Sequence, residues 1–259
     1  MNGDRRGTVV VLGSPAELAQ EAAQRITHLA QAAIDAMGVF RIALSGGTTP
    51  RATHEALASE PFRSQINWSK VEVFWSDDRA VPPDDPESNY RMAVETLLSN
   101  VPIPEQSIYR MPTDRPDLAA AAAEYEATIR RVFGEPSGIP VFDVMILGLG
   151  DDGHTASLFP HSRQLHSGER LVVDGDPPLP GTAGPSPSVP RLTFTPRLIN
   201  AARERIFLVE GAQKAEPVRN VLYGPWQPEV WPAQFITGGA TLPLWLIDEA
   251  AASLLPDRR

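Results

Sequence analysis

Short apolar runs punctuate the chain, separated by longer stretches with helical patterning. TVVVL (8–12), RIAL (41–44), VEVFW (71–75), FDVMIL (142–147), ERLVV (169–173) and RIFLV (205–209) are rich in β-branched or aromatic residues. Strands buried on both faces of a parallel sheet read this way. Between several of them lie helices with readable ends. Ser14 caps and Pro15 opens AELAQEAAQRITHLAQAAIDAM, with Gly38 as its stop. Ser88 opens NYRMAVETLL, and DLAAAAAEYEATIRRVF fills the interval before Gly134. The alternation predicts an α/β protein with a mostly parallel twisted sheet and helices on both faces, related to the Rossmann folds. No repeat or linker divides residues 1–259, so a single domain is expected. The odd stretch is DGDPPLPGTAGPSPSVP (174–190), too rich in Pro and Gly for a helix or a central strand. A connection of this length is expected to be either a cover over a site or simply mobile.

Composition narrows the classes of ligand. At 259 residues the chain can bury roughly three quarters of its unfolded surface, so a sizeable core is available. A net charge of -9 argues against nucleic acid or an anionic membrane as a partner. An anionic ligand would therefore need a local positive site. The absence of cysteine excludes a disulfide framework, a thiol nucleophile and a cysteine metal cluster, and it suits a reducing compartment. The N-terminal apolar run is too short for a signal-peptide core, and no run approaches membrane-spanning length; a cytoplasmic location is expected.

In open α/β sheets ligands bind beyond the carboxyl ends of the strands, which directs attention to four loops. SGGTTP (45–50) offers converging N–H groups at Gly46 and Gly47, hydroxyls at Thr48 and Thr49, and a helix opened by Pro50. The positive end of that helix makes an anion cradle, although an ordinary βα turn fits equally well. It lacks the Gly-Lys-Ser/Thr of a nucleotide P-loop. SDDRAVP (76–82) could aim Arg79 at a ligand oxygen while Asp77 and Asp78 balance its charge; alone, it reads better as a surface ion-pair cluster. GLGDDGHTASLFPH (148–161) spells G-x-G-x-x-G after a strand. Yet Pro160 stops any helix begun at Thr155 within about two turns, and Asp151 and Asp152 put negative charge where a pyrophosphate needs bare N–H groups. The better reading is a tight glycine turn that delivers His154, with Asp152 orienting the imidazole for proton transfer. EGAQKAEPVRNVL (210–222) sets Lys214 at a helix start, where its cation opposes the dipole and gains from a bound anion, unless it is a solvated surface lysine. His28 and His54 are expected at the surface, His166 has no motif, and His161 adjoins the third loop as a candidate substrate contact. No H-x-x-H or H-E-x-x-H spacing supports a metal site.

Taken together, SGGTTP, SDDRAVP with DPESNYRMA, GLGDDGHTASLFP, RLTFTPRLINAAR and EGAQKAE resemble the motif series of the 6-phosphogluconolactonases, in order, from about Val9 to the C-terminal DEAAASLL. That family shares a fold with glucosamine-6-phosphate deaminases and ribose-5-phosphate isomerases. The resemblance implies a cytosolic enzyme of the oxidative pentose phosphate pathway that hydrolyses 6-phospho-D-glucono-1,5-lactone without metal or cofactor, as a monomer or small homo-oligomer whose partner is a small phosphosugar lactone. It implies that His154 is the catalytic histidine, Asp152 its neighbouring carboxylate and Arg79 the arginine of the second motif. Ser45, Gly46, Gly47, Thr48 and Lys214 are expected around the 6-phosphate. His161 departs from the glycine of many members, and the Pro-rich loop before Arg191 is longer than usual. Deaminases resemble GHIAFNEP and D-E-Y where this chain has GHTASLFP and Asp77-Asp78-Arg79. A non-catalytic sugar-phosphate sensor would need only the cradle, and would have no use for His154, Asp152 and Arg79 together.

Overall fold

The computed structural model describes residues 6–178, 188–239 and 241–256. After β1 (Thr8–Leu12), α1 (Pro15–Met37) begins as its caps dictate: the Ser14 hydroxyl accepts from the Glu17 N–H, and Pro15 occupies the first turn, where no donor is needed. Its buried stripe, including Leu18, Ala22, Ile26 and Ala30, packs into the core. There follow β2 (Phe40–Leu44), α2 (Thr48–Leu57), α3 (Phe62–Gln65), β3 (Val71–Trp75), β4 (Asp77–Arg79), α4 (Asn89–Thr96), α5 (Leu118–Phe133) and β5 (Val144–Leu147). The remainder is β6 (Val172–Gly175), β7 (Arg191–Phe194), α6 (Pro196–Ala201), β8 (Glu204–Val209), α7 (Ala215–Tyr223) and β9 (Leu244–Asp248).

Six strands form a parallel sheet in the order β1-β9-β8-β5-β2-β3. β3 lies on one side of β2, whereas β5 and the strands beyond it lie on the other. A crevice therefore opens between the loops that follow β2 and β5, as the strand order requires. β5 is buried along its whole length, as a central parallel strand must be.

The strand expectations need one correction and one addition. ERLVV does not join the parallel sheet: its last residues begin β6, the edge of a separate antiparallel sheet ordered β4-β7-β6. A short apolar run carries no information about the direction of its partner. In addition LWLID, unassigned above, forms β9 and pairs with both β1 and β8. The chain changes sheets at Ser76, whose N–H donates to Leu44 at the end of β2 and whose carbonyl accepts from Phe194 in β7. Of the Pro-rich stretch 174–190, Asp174 and Gly175 extend edge strand β6, and 179–187 lie outside the described residues.

Candidate active site

Four adjacent strands, β8, β5, β2 and β3, end along one rim, and each delivers one of the loops singled out in the sequence. From β2 the chain turns through Ser45, Gly46 and Gly47 directly into α2, which starts at Thr48, so Pro50 sits inside the first turn and does not open the helix. Among the described residues no side chain caps that end, whose backbone borders the crevice. Gly46 is glycine for want of space: a Cβ there would lie 1.8 Å from Asn89 Oδ1.

After β5 the glycine turn closes on itself. The Gly150 N–H donates to the His154 carbonyl (2.8 Å) and the Gly153 N–H to Gly150 (3.0 Å). His154 Nδ1 lies 2.5 Å from Asp152 Oδ1, which also accepts from the His154 N–H. Burial opposes ionisation of Asp152, but these bonds from His154 outweigh it and hold the carboxyl below its usual range. An ionised Asp152 calls for the proton on Nδ1, which leaves Nε2 as the basic atom of a ring on the cavity wall. Phe159 packs 4.8 Å from the imidazole, ring centre to ring centre. The loop is tethered from outside by hydrogen bonds from the Ala233 N–H to Gly153 and from the His161 N–H to Glu229. His161 itself is exposed and forms no part of the cavity wall.

The loop after β3 differs from a surface ion-pair cluster. The Tyr125 hydroxyl anchors its start, accepting from the Trp75 N–H and donating to the Tyr109 carbonyl. Asp78 is buried, and its contact with Arg79 is to the backbone N–H. It caps α4, accepting from the N–H groups of Asn89 (2.8 Å) and Tyr90 (3.2 Å), the Arg79 N–H and the Ser88 hydroxyl. Burial pushes its pKa up to about 6 despite those bonds, with Asp77 adding to the rise. Asp77 accepts from the Ser157 hydroxyl at 2.6 Å and faces the cavity. Arg79 is steered by Asn89: its Nη1 donates to Asn89 Oδ1 (2.5 Å) and to the Glu87 carbonyl (2.9 Å).

Lys214 lies, as expected, immediately before a helix, α7, but its charge already has a partner: Nζ is 2.5 Å from Asp151 Oδ1. The cavity has two adjoining lobes. One is walled by Ser45, Asp77, Arg79, Asn89, His154 and Arg191, the other by Thr48, Thr49, Asp151 and Gln213; Gly46, Gly47 and Lys214 border both. Of the residues expected to act on the lactone or to hold its phosphate, Asp152 alone is off the wall, standing behind it against His154. Sequence reasoning missed Asn89 and Arg191. Arg191, 1% exposed at the start of β7, lies over Phe159; burial pulls its pKa down to about 10, opposed by the attraction of Asp77. The motif RLTF was the available signal, without a hint of its direction. His54, expected at the surface, is fully buried with Nδ1 3.4 Å from the Thr96 hydroxyl; burial, aided by Arg51, takes its pKa down to about 4. His28 is exposed.

Comparison with known proteins places this crevice in a family. Residues 13–245 match the model of the glucosamine-6-phosphate isomerases/6-phosphogluconolactonase. A 6-phosphogluconolactonase of Synechocystis sp. is 44% identical over 224 residues, covering 86% of this chain and 88% of the relative. The solved 6-phosphogluconolactonase of Trypanosoma cruzi superposes with a TM-score of 0.85 at 31% identity, covering 98% of this chain and 99% of that one. A monomeric glucosamine-6-phosphate deaminase shares the fold at a TM-score of 0.79 and 22% identity, covering 95% of this chain and 99% of the other. The chain belongs to the glucosamine-6-phosphate isomerase/6-phosphogluconolactonase family, and within it to the lactone-hydrolysing enzymes.

Proposed function

We propose that the crevice hydrolyses 6-phospho-D-glucono-1,5-lactone to 6-phospho-D-gluconate with His154 as the base. Nε2 removes a proton from a water as its oxygen bonds to the lactone carbonyl carbon. Arg79 or Arg191, which share that lobe, offsets the charge developing on the carbonyl oxygen. Collapse of the tetrahedral intermediate breaks the bond to the ring oxygen, which takes the proton back from His154. General-base assistance is worth roughly 10²- to 10⁴-fold, and one well-placed oxyanion donor about 2.7 to 4 kcal/mol. The 6-phosphate lies in the second lobe, against the Gly46–Thr48 backbone at the α2 terminus, with Lys214 between the lobes. The observation that carries this reading is the His154–Asp152 dyad opening onto the same crevice as an uncapped helix terminus.

The test is turnover of freshly prepared lactone, with spontaneous opening subtracted. His154→Asn keeps size and some hydrogen bonding but loses basicity, so kcat should drop by roughly 10²-fold or more while thermal stability and product affinity stay nearly unchanged. Asp152→Asn should act in the same direction, less strongly. Glucosamine 6-phosphate should yield no ammonia. A His154→Asn enzyme with near wild-type kcat would refute the base assignment and turn attention to Asp77; ammonia released at an enzymatic rate would refute the reaction.

A further inference from the structure

Asp151 and Asp152 are neighbours in one turn, but they face different partners. Asp152 is turned to His154, whereas Asp151 reaches across the crevice to Lys214, Nζ to Oδ1 2.5 Å. The Lys214 side chain is 20% exposed and that of Asp151 46%, so the pair sits at the rim, in contact with water. Asp151 also borders the lobe formed by Thr48, Thr49 and Pro50 at the α2 terminus. A phosphate dianion in this lobe is drawn by the helix N–H groups and by Lys214. It meets, on the same wall, a carboxylate that already holds the lysine.

We infer that Asp151 is a built-in competitor for Lys214, an affinity-setting residue that loosens the hold on phosphorylated ligands and so favours product release. This rests on the proposed placement of the 6-phosphate. Two features support competition over mere orientation of the lysine. Lys214 enters the crevice from the start of α7, a position set by backbone bonding, including its own N–H to the Gly211 carbonyl at 3.0 Å. And the pair is partly open to solvent, chiefly on the Asp151 side, where an ion pair is weakened and an incoming dianion can displace it. Phosphate binding then exchanges one charge pair for another. The exchange leaves the Asp151 charge near the ligand, which lowers affinity for substrate and product alike. A product that leaves sooner frees the site for the next turnover.

The experiment compares wild type, Asp151→Asn and Lys214→Ala at fixed ionic strength, reading KM for the phosphorylated lactone and the inhibition constant of 6-phosphogluconate, with unphosphorylated gluconolactone as reference. Asp151→Asn should lower the inhibition constant and KM by about threefold to tenfold, the range of an exposed ion pair together with relief of like-charge repulsion. KM for the unphosphorylated lactone should change little by comparison. Lys214→Ala should raise both constants for phosphorylated ligands. An Asp151→Asn enzyme with unchanged or weaker product binding, beside a Lys214→Ala enzyme that binds weakly, overturns the competitor role and leaves the phosphate site standing. Lys214→Ala without effect removes the phosphate site, and the inference with it. Thermal melting verifies that each variant folds; should Asp151→Asn fail to fold, Asp151→Ser puts the same question.

Discussion

His54 and Asp78 are ionisable groups taken out of water, and the fold moves their pKa values in opposite directions. His54, lowered from 6.5 to about 4, stays neutral in the folded protein where the unfolded chain would be protonated. Its contribution is complete above the unfolded pKa and is lost as pH falls through the window from about 6.5 to about 4, because the unfolded state binds the extra proton. The loss is of order 3 kcal/mol at most. Asp78, raised from 3.8 to about 6, does the reverse: its folded form binds the proton more tightly, so protonation between about 6 and 4 favours the folded state. The two partly cancel in the wild type. His54→Gln removes one of them, and the midpoint of thermal unfolding should therefore drop less between pH 7 and pH 4.5 in the variant than in the wild type. Parallel pH profiles would mean that His54 does not titrate in this way. Nothing in the helical pattern of TTPRATHEAL distinguishes this histidine from a surface one; its burial depends on the packing of α2 against α1 and α4.

The glycine turn after β5 is where a single element decides activity. A Cβ at Gly150 would fall 1.9 Å from His154 Nδ1 and 2.7 Å from Asp152 Oδ1, so a methyl group must push the dyad aside. Misplacement by about 1 Å can cost 10²-fold in rate. Gly150→Ala should accordingly lose kcat on that order while its melting temperature stays within a few degrees, since the side chains can move more cheaply than the turn. Substantial activity in that variant would show that the dyad tolerates displacement. This much of the site was legible because Asp152 and His154 are two residues apart and the turn joins them locally. Arg79 and Asn89 are farther apart, joined only once α4 folds back under Asp78. Arg191 comes to the cavity through the pairing of β7 with β4, more than a hundred residues away in sequence, which no spacing rule anticipates.

At the scale of the molecule, β9 holds the start and the end of the chain in one sheet. It runs between β1 and β8, and Trp245 stacks on Phe207 with ring centres 4.0 Å apart. Truncation after Pro243 would leave β1 without its ladder partner and expose the core flank of β8. Such a chain should lose cooperative unfolding in a thermal melt, even though none of the described residues removed lines the crevice. A cooperative transition in the truncated chain would show that β1 and β9 are dispensable.

Local chemistry determined much of this protein from sequence alone: the ends of α1, the apolar runs of five of the six parallel strands, of which edge strand β1 alone is not buried, the turn that presents His154 to Asp152, and the ordered motifs that resemble one family. These depend on groups a few residues apart, within reach of one hydrogen bond or one helical turn. Tertiary structure alone decided the strand order, the antiparallel course of β4, β7 and β6, the burial of His54 and the pairing of Lys214 with Asp151. Each of these depends on which distant segment arrives alongside. That is settled by the packing of a whole apolar surface, in which a run such as RLTF or a lone lysine carries too few contacts to name its partner.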